Sequence, residues 1–263
     1  MTTKVLVKNS IECTSANMPD YEQETARFSW QAARKRLTGL PNGSLNIAFE
    51  AIDRHLLNGN ADKIAICWLA RDGGRRTYSY RDLAAASNRF ANVLESLGVK
   101  RGERVFSLLG RVPDLYSSVI GTLKVGSVYC PLFSAFGPEP VRSRLEIGDA
   151  RVLVTSTTLY QRKVASIRKS LPGLSAILLV DEDAESDEDA GIYALHELMQ
   201  IASDAYCITE TAPDAPALLH FTSGTTGTPK GALHVHEAVL AHHETGRMVL
   251  DLKPDDVYWC TVC

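Results

Sequence analysis

The chain has 263 residues, 45% hydrophobic and 22% charged, the composition of a globular protein with enough apolar side chain for a sizeable core. A formal net charge of −3 removes the electrostatic case for nucleic acid or an anionic membrane as the main partner, because either would favour a basic surface. The N-terminal stretch has no apolar secretion signal and no apolar run approaches the roughly 20 residues of a bilayer span, so the expected location is the cytoplasm.

Tyr21 to Leu37 carries Phe28, Trp30 and Ala33 among charged residues, which predicts a surface helix ending at the Gly/Pro/Asn break from Gly39 to Gly43. A second helix is expected from near Ser44, with Ile47, Ala51, Ile52, His55 and Leu56 at helical spacing. Residues 1–60 thus read as a helical lead-in to a main body, residues 61–263. Lys63 to Ala70 and Arg76 to Ser79 read as two strands joined by the turn chemistry of Asp72-Gly73-Gly74. A helix follows, with Leu83, Ala86, Phe90, Leu94 and Leu97 on one stripe and Gly98 where a left-handed cap is wanted.

Beyond it, strands are expected at Val105–Leu109, Val128–Pro131, Val152–Thr155, Ala176–Val180, Ala217–Thr222, Ala232–Val235 and Val257–Val262, with helical stretches between them. Several of these runs are apolar throughout, as in strands covered on both faces, so the fold class is α/β with helices flanking largely parallel sheets. The acidic run from Asp181 to Asp189 lacks EF-hand spacing and its glycine, and reads as a solvated loop. Cys13, Cys67, Cys130 and Cys207 lie singly, which suits reduced thiols; Cys260 and Cys263 are the exception, a CxxC without the two further ligands zinc requires.

The segment Phe221 to His234, FTSGTTGTPKGALH, concentrates the chemistry. Gly224, Gly227 and Gly231 let backbone N–H groups approach an anion, and Thr222, Ser223, Thr225, Thr226 and Thr228 supply hydroxyl donors. Lys230 adds a point charge. Hydrogen bonds to a charged group are worth about 1.5 to 3 kcal/mol each, so a few of them hold a polyphosphate. The segment is not a Walker P-loop, since Pro229 precedes the lysine and directs the chain back into the strand at Ala232. A plain glycine and threonine turn between two strands is the alternative.

The string [ST]SG[ST]TGxPKG is met in full by residues 222–231 and resembles the phosphate loop of adenylate-forming enzymes, which include acyl-CoA synthetases. TYSYRDL (Thr77 to Leu83) and LKVGSVYCPL (Leu123 to Leu132) resemble further segments of that family. FSAFGPEPVRSRL (Phe133 to Leu145), YWCT (Tyr258 to Thr261) and the lead-in look most like acetyl-CoA synthetases.

The resemblance implies the front part of the family's large N-terminal domain and a two-step reaction. ATP and a small carboxylate, acetate or a short-chain acid, give an acyl adenylate and pyrophosphate; the thiol of coenzyme A then displaces AMP. By resemblance, Thr222, Ser223, Gly224, Thr225, Thr226 and Gly227 hold the β- and γ-phosphates with Mg2+, and Lys230 offsets charge as pyrophosphate leaves. Phe133, Ser134 and Ala135 resemble the place where the adenine of coenzyme A passes; Arg162 and Lys163, a basic pair after the strand ending at Thr155, lie close to the position of the family's phosphate-binding arginines without reproducing their spacing, and an ordinary solvated helix face is the alternative. No resident metal site is implied, and His234 and His236 read as ordinary strand histidines.

The family's YGxTE segment, ribose-binding aspartate, hinge, acyl pocket and C-terminal lysine would lie beyond Cys263, so the chain is expected to be a truncated fragment, inactive alone. A complementary C-terminal fragment is then an implied partner. The competing readings are an adenylation domain that loads a carrier protein and a non-catalytic fragment of a synthetase.

Overall fold

A computed structural model of the chain describes residues 15–222 and 228–259. The chain divides into two units, Met1–Thr38 with Ala238–Cys263, and Gly39–Glu237. In the smaller unit the single helix expected over Tyr21 to Leu37 is two short ones, α1 (Tyr21–Arg27) and α2 (Trp30–Arg34). Local hydrogen bonding explains the split. Phe28 and Ser29 adopt extended backbone, and the Ser29 hydroxyl accepts from the Ala32 amide at 3.2 Å, which caps a new helix instead of continuing the old one.

The larger unit opens with a helical run over residues 47–57 that contains a π-turn, Phe49–Asp53, and ends as α3 (Arg54–Leu57). The hairpin β1 (Ile64–Leu69) and β2 (Arg75–Ser79) follows as expected. Ser79 then starts α4 (Tyr80–Ser96) with a reciprocal capping box to Asp82, and Gly98 closes it with φ +72°.

From there strands and helices alternate: β3 (Arg104–Leu108), α5 (Pro113–Lys124), β4 (Val128–Leu132), α6 (Pro138–Ile147), β5 (Ala150–Thr155), α7 (Thr157–Lys163), β6 (Ala176–Leu179), β7 (Ile192–Ala194), α8 (Leu195–Ile201), β8 (Pro216–Thr222) and β9 (Lys230–Val235). They form a seven-stranded sheet in the order β7-β6-β5-β3-β4-β8-β9, parallel except for β9, which returns antiparallel to β8.

Successive strand residues point to opposite faces, so both must be apolar. On one face Phe106, Leu108, Leu153 and Ile177 pack with Val141 and Leu145 of α6 and Tyr160 of α7. On the other, Val105, Val152, Val154 and Leu178 pack with Phe90 and Leu94 of α4 and Leu195 of α8. Each such side chain contributes about 1.5–3 kcal/mol on burial, which is why the strand runs read as continuously apolar.

The parallel strands share one carboxyl edge, since Leu108 pairs with Leu132 and Thr155, and Thr155 with Leu179. The chain leaves β3 toward β4 and leaves β5 toward β6, in opposite directions, which opens a crevice at that edge.

The smaller unit resumes with α9 (Ala238–Met248). Its Glu244, 4% exposed at the side chain, accepts charge-assisted bonds from Arg36 at 3.1 Å and Arg247 at 3.2 Å. The strand expected at Val257–Val262 is corrected here: Val257, Tyr258 and Trp259 are irregular and 92%, 61% and 76% exposed, with no strand beside them among the described residues. Cys260 to Val262 lie outside those residues.

Candidate functional site

The β8–β9 hairpin brings Thr222 and Lys230, which flank the glycine- and hydroxyl-rich segment in sequence, together at the carboxyl end of β8. Phe221 pairs with Gly231 and Thr222 with Lys230, so Pro229 and Lys230 return into a strand and do not open a helix. The hairpin base is firmly seated. The Phe221 ring stacks on Phe106 of β3 at 6.3 Å, and a Cβ on Gly231 would come within 2.8 Å of Leu219 Cδ1, so only glycine fits there without a shift. Above this base Thr222 and Lys230 are exposed, and the Thr222 hydroxyl donates to the Lys230 carbonyl at 3.4 Å. Ser223, Gly224, Thr225, Thr226 and Gly227 lie outside the described residues.

The second segment leaves the neighbouring strand, β4. Phe133, half exposed, is followed by Ser134 and Ala135, and the Phe136 amide closes the turn on the Phe133 carbonyl at 3.0 Å. Phe136 meets the Phe133 ring edge-on at 5.6 Å, and the buried Arg144 guanidinium lies over the Phe136 ring, 4.2 Å from its centroid. Lys163, in the last turn of α7, donates its ammonium to the Ser134 carbonyl, and Arg162 stands exposed next to it. Two stretches separated by a strand and a helix in sequence are therefore one cluster. α7 is aimed by its N-terminal caps: Ser156 accepts from the Leu159 amide at 3.2 Å and Asp181 from the Thr157 amide at 2.5 Å. Sequence reading missed Phe136 and Arg144; the aromatic three residues after Phe133 was the available signal.

Of the two histidines expected on a strand, only His234 lies on one; His236 follows the end of β9 at Val235. His234, on β9, meets His220 edge-on at 5.6 Å. His236 is fully buried; its Nδ1 accepts from the Ile47 amide at 3.1 Å, and burial, aided by Arg101, pushes its imidazole down to about 4. It is a neutral structural acceptor at physiological pH. Among the described residues no group of three or more His, Cys, Asp or Glu side chains is placed to hold a metal.

Residues 53–262 match the family model described as AMP-binding enzyme. The chain belongs to that family. As an AMP-binding enzyme it is 39% identical over 247 residues to acetyl-coenzyme A synthetase of Bacillus subtilis (strain 168), covering 93% of this chain and 42% of the relative. It is 33% identical over 233 residues to acetyl-coenzyme A synthetase of Methanothrix thermoacetophila, covering 83% and 35%. Among solved structures, an acyl-CoA synthetase of Brucella canis superposes with a TM-score of 0.81 at 25% identity, over 91% of this chain and 42% of that one. The anthranilate CoA ligase AuaEII, solved with anthranoyl-AMP, shares the fold with a TM-score of 0.69 at 24% identity, over 84% and 38%.

The helix-flanked, mostly parallel sheet is thus that of the N-terminal domain of adenylate-forming enzymes. This AMP-binding enzyme chain spans about two fifths of the length of the curated relatives it matches. No helix among its described residues is long and apolar enough to cross a membrane.

Proposed function

We propose that the chain carries the nucleotide-handling part of an ATP-dependent acyl-CoA synthetase that acts on acetate or another short-chain acid. A carboxylate oxygen attacks the α-phosphorus of ATP, expelling pyrophosphate and leaving the acyl adenylate. The thiolate of coenzyme A then attacks the acyl carbon and expels AMP. Neither step needs a protein nucleophile, so the protein's contribution is positioning and electrostatic stabilisation.

Thr222 and the residues Ser223 to Gly227 would hold the β- and γ-phosphates, and Lys230, at the start of β9, would offset the charge on departing pyrophosphate. The hard hydroxyl oxygen of Thr222 suits Mg2+, which when bound neutralises phosphate charge. Phe133, Ser134 and Ala135 would take the adenine of coenzyme A, with Arg162 and Lys163 on the side of its phosphates.

The observation that supports this reading best is the full phosphate-loop string in the sequence, whose flanking residues Thr222 and Lys230 pair at the carboxyl end of β8, the kind of strand end where α/β folds bind nucleotides. The coenzyme A branch, in preference to a carrier-protein adenylation domain, is supported by the 39% identity to an acetyl-coenzyme A synthetase. Calorimetry of ATP with Mg2+ tests the first part. Lys230→Ala or Thr222→Ala is expected to weaken binding about tenfold each, one lost charge-assisted bond. Undiminished ATP uptake after residues 222–229 are scrambled would refute the assignment.

A further inference from the structure

The basic pair Arg162 and Lys163 is divided by the geometry. Lys163 turns inward from the last turn of α7 and binds the Ser134 carbonyl, whereas Arg162 faces solvent. A cation suits the C-terminal end of a helix, and a backbone carbonyl in a turn needs a donor, so each group satisfies the other. At the same turn, Arg144 is 7% exposed, donates Nη1 to the Pro140 carbonyl at 2.9 Å and covers the Phe136 ring, which in turn abuts Phe133. The turn is therefore held by two helices, by α7 through the Ser134 carbonyl and by α6 through the Phe136 ring.

We propose that Lys163 is a positioning residue that latches the Phe133–Ala135 turn to α7, and that Arg162 alone of the pair meets ligand phosphate. A side chain at 50% exposure such as Phe133 offers a stacking face to a base only if its backbone is held. Release of the Ser134 carbonyl would free the turn and lower the fraction of molecules presenting that face. The consequence for binding rests on the coenzyme A reading of this turn; the latch does not.

Two measurements on the whole chain separate these. Hydrogen exchange at the Phe136 amide, which closes the turn on Phe133, reports the latch without any ligand. It is expected to quicken about tenfold in Lys163→Met, the loss of one charged hydrogen bond, to stay unchanged in Arg162→Ala, and to be restored in Lys163→Arg. Unchanged exchange in Lys163→Met overturns the proposal.

Calorimetry with adenosine and with adenosine 3′,5′-bisphosphate reports the role. Lys163→Met should weaken both probes by the same factor, whereas Arg162→Ala should weaken only the bisphosphate. Loss confined to the bisphosphate in Lys163→Met would make Lys163 a direct phosphate ligand and overturn the positioning role. A wild-type chain that binds neither probe removes the coenzyme A reading, and the Phe136 amide still decides the latch.

Discussion

Acid should unfold this protein partly through one buried imidazole. His236 is fully buried at the exit of β9, where its Nδ1 accepts the Ile47 amide at 3.1 Å, and its value falls from the ordinary 6.5 to about 4. The sign follows from proton counting. Between those values the unfolded chain binds a proton that the folded chain refuses, so stability is full above pH 6.5 and is lost as pH falls through the window. The depression corresponds to about 3 kcal/mol in total, approached at a slope of about 1.4 kcal/mol per pH unit. Urea unfolding between pH 7.5 and 4 measures it, with His236→Asn as the variant that keeps an acceptor for Ile47 but cannot titrate. The variant's pH slope should be shallower by nearly one proton. An identical slope, or a His236 ring resonance titrating at an ordinary midpoint, would refute the reasoning.

Three further outcomes are expected from denaturant unfolding. Lys124, wholly buried on α5, donates to Asp53 Oδ1 at 2.8 Å and Asn88 Oδ1 at 2.7 Å; burial lowers its value and raises that of Asp53. Lys124→Met should cost about 3 kcal/mol by stranding the carboxylate, and the double variant Lys124→Met with Asp53→Leu should recover most of that loss. Gly121→Ala would place its Cβ 2.7 Å from the Ser87 carbonyl oxygen and 2.8 Å from Phe90 Cδ1, so overpacking of about 1–3 kcal/mol should outweigh the roughly 1 kcal/mol gained in helix propensity. In the smaller unit, Glu244→Gln should lose about 1–3 kcal/mol, because Arg36 and Arg247 exchange a buried carboxylate for a neutral amide.

What the sequence made legible follows the physics of periodicity. Val105 to Leu109 and Val152 to Thr155 were readable as strands because helices cover both faces of the sheet. The three residues of β7, Ile192–Ala194, leave too short a pattern to register and are fixed by pairing with Ile177 to Leu179. Lys124 gave no warning: a lysine in an apolar helix reads as a solvated end, and its partners lie 71 and 36 positions away. The same blindness hid the latch. Phe133 to Ala135 and Arg162 with Lys163 were both visible as candidates, but that one lysine faces the other segment's backbone is a tertiary fact, set by the capping of α7 at Ser156 and Asp181.

β8 is inserted beside β4, not beside β7, its predecessor in sequence, so the β8–β9 hairpin and the Phe133 turn leave from adjacent strands. Both also rest on β3 and its neighbours: Phe221 stacks on Phe106, and the Ser107 and Tyr129 hydroxyls, 2.6 Å apart in the core, tie β3 to β4. On the reading proposed above, the phosphates of ATP lie at one segment and the adenine of coenzyme A at the other, and the reaction needs their separation held constant. A parallel sheet supplies this because its strands cannot shift register without turning apolar side chains toward the wrong face. The exposed segments can then differ in sequence while the spacing of their strand ends stays fixed by buried residues such as Phe106, Ser107 and Tyr129.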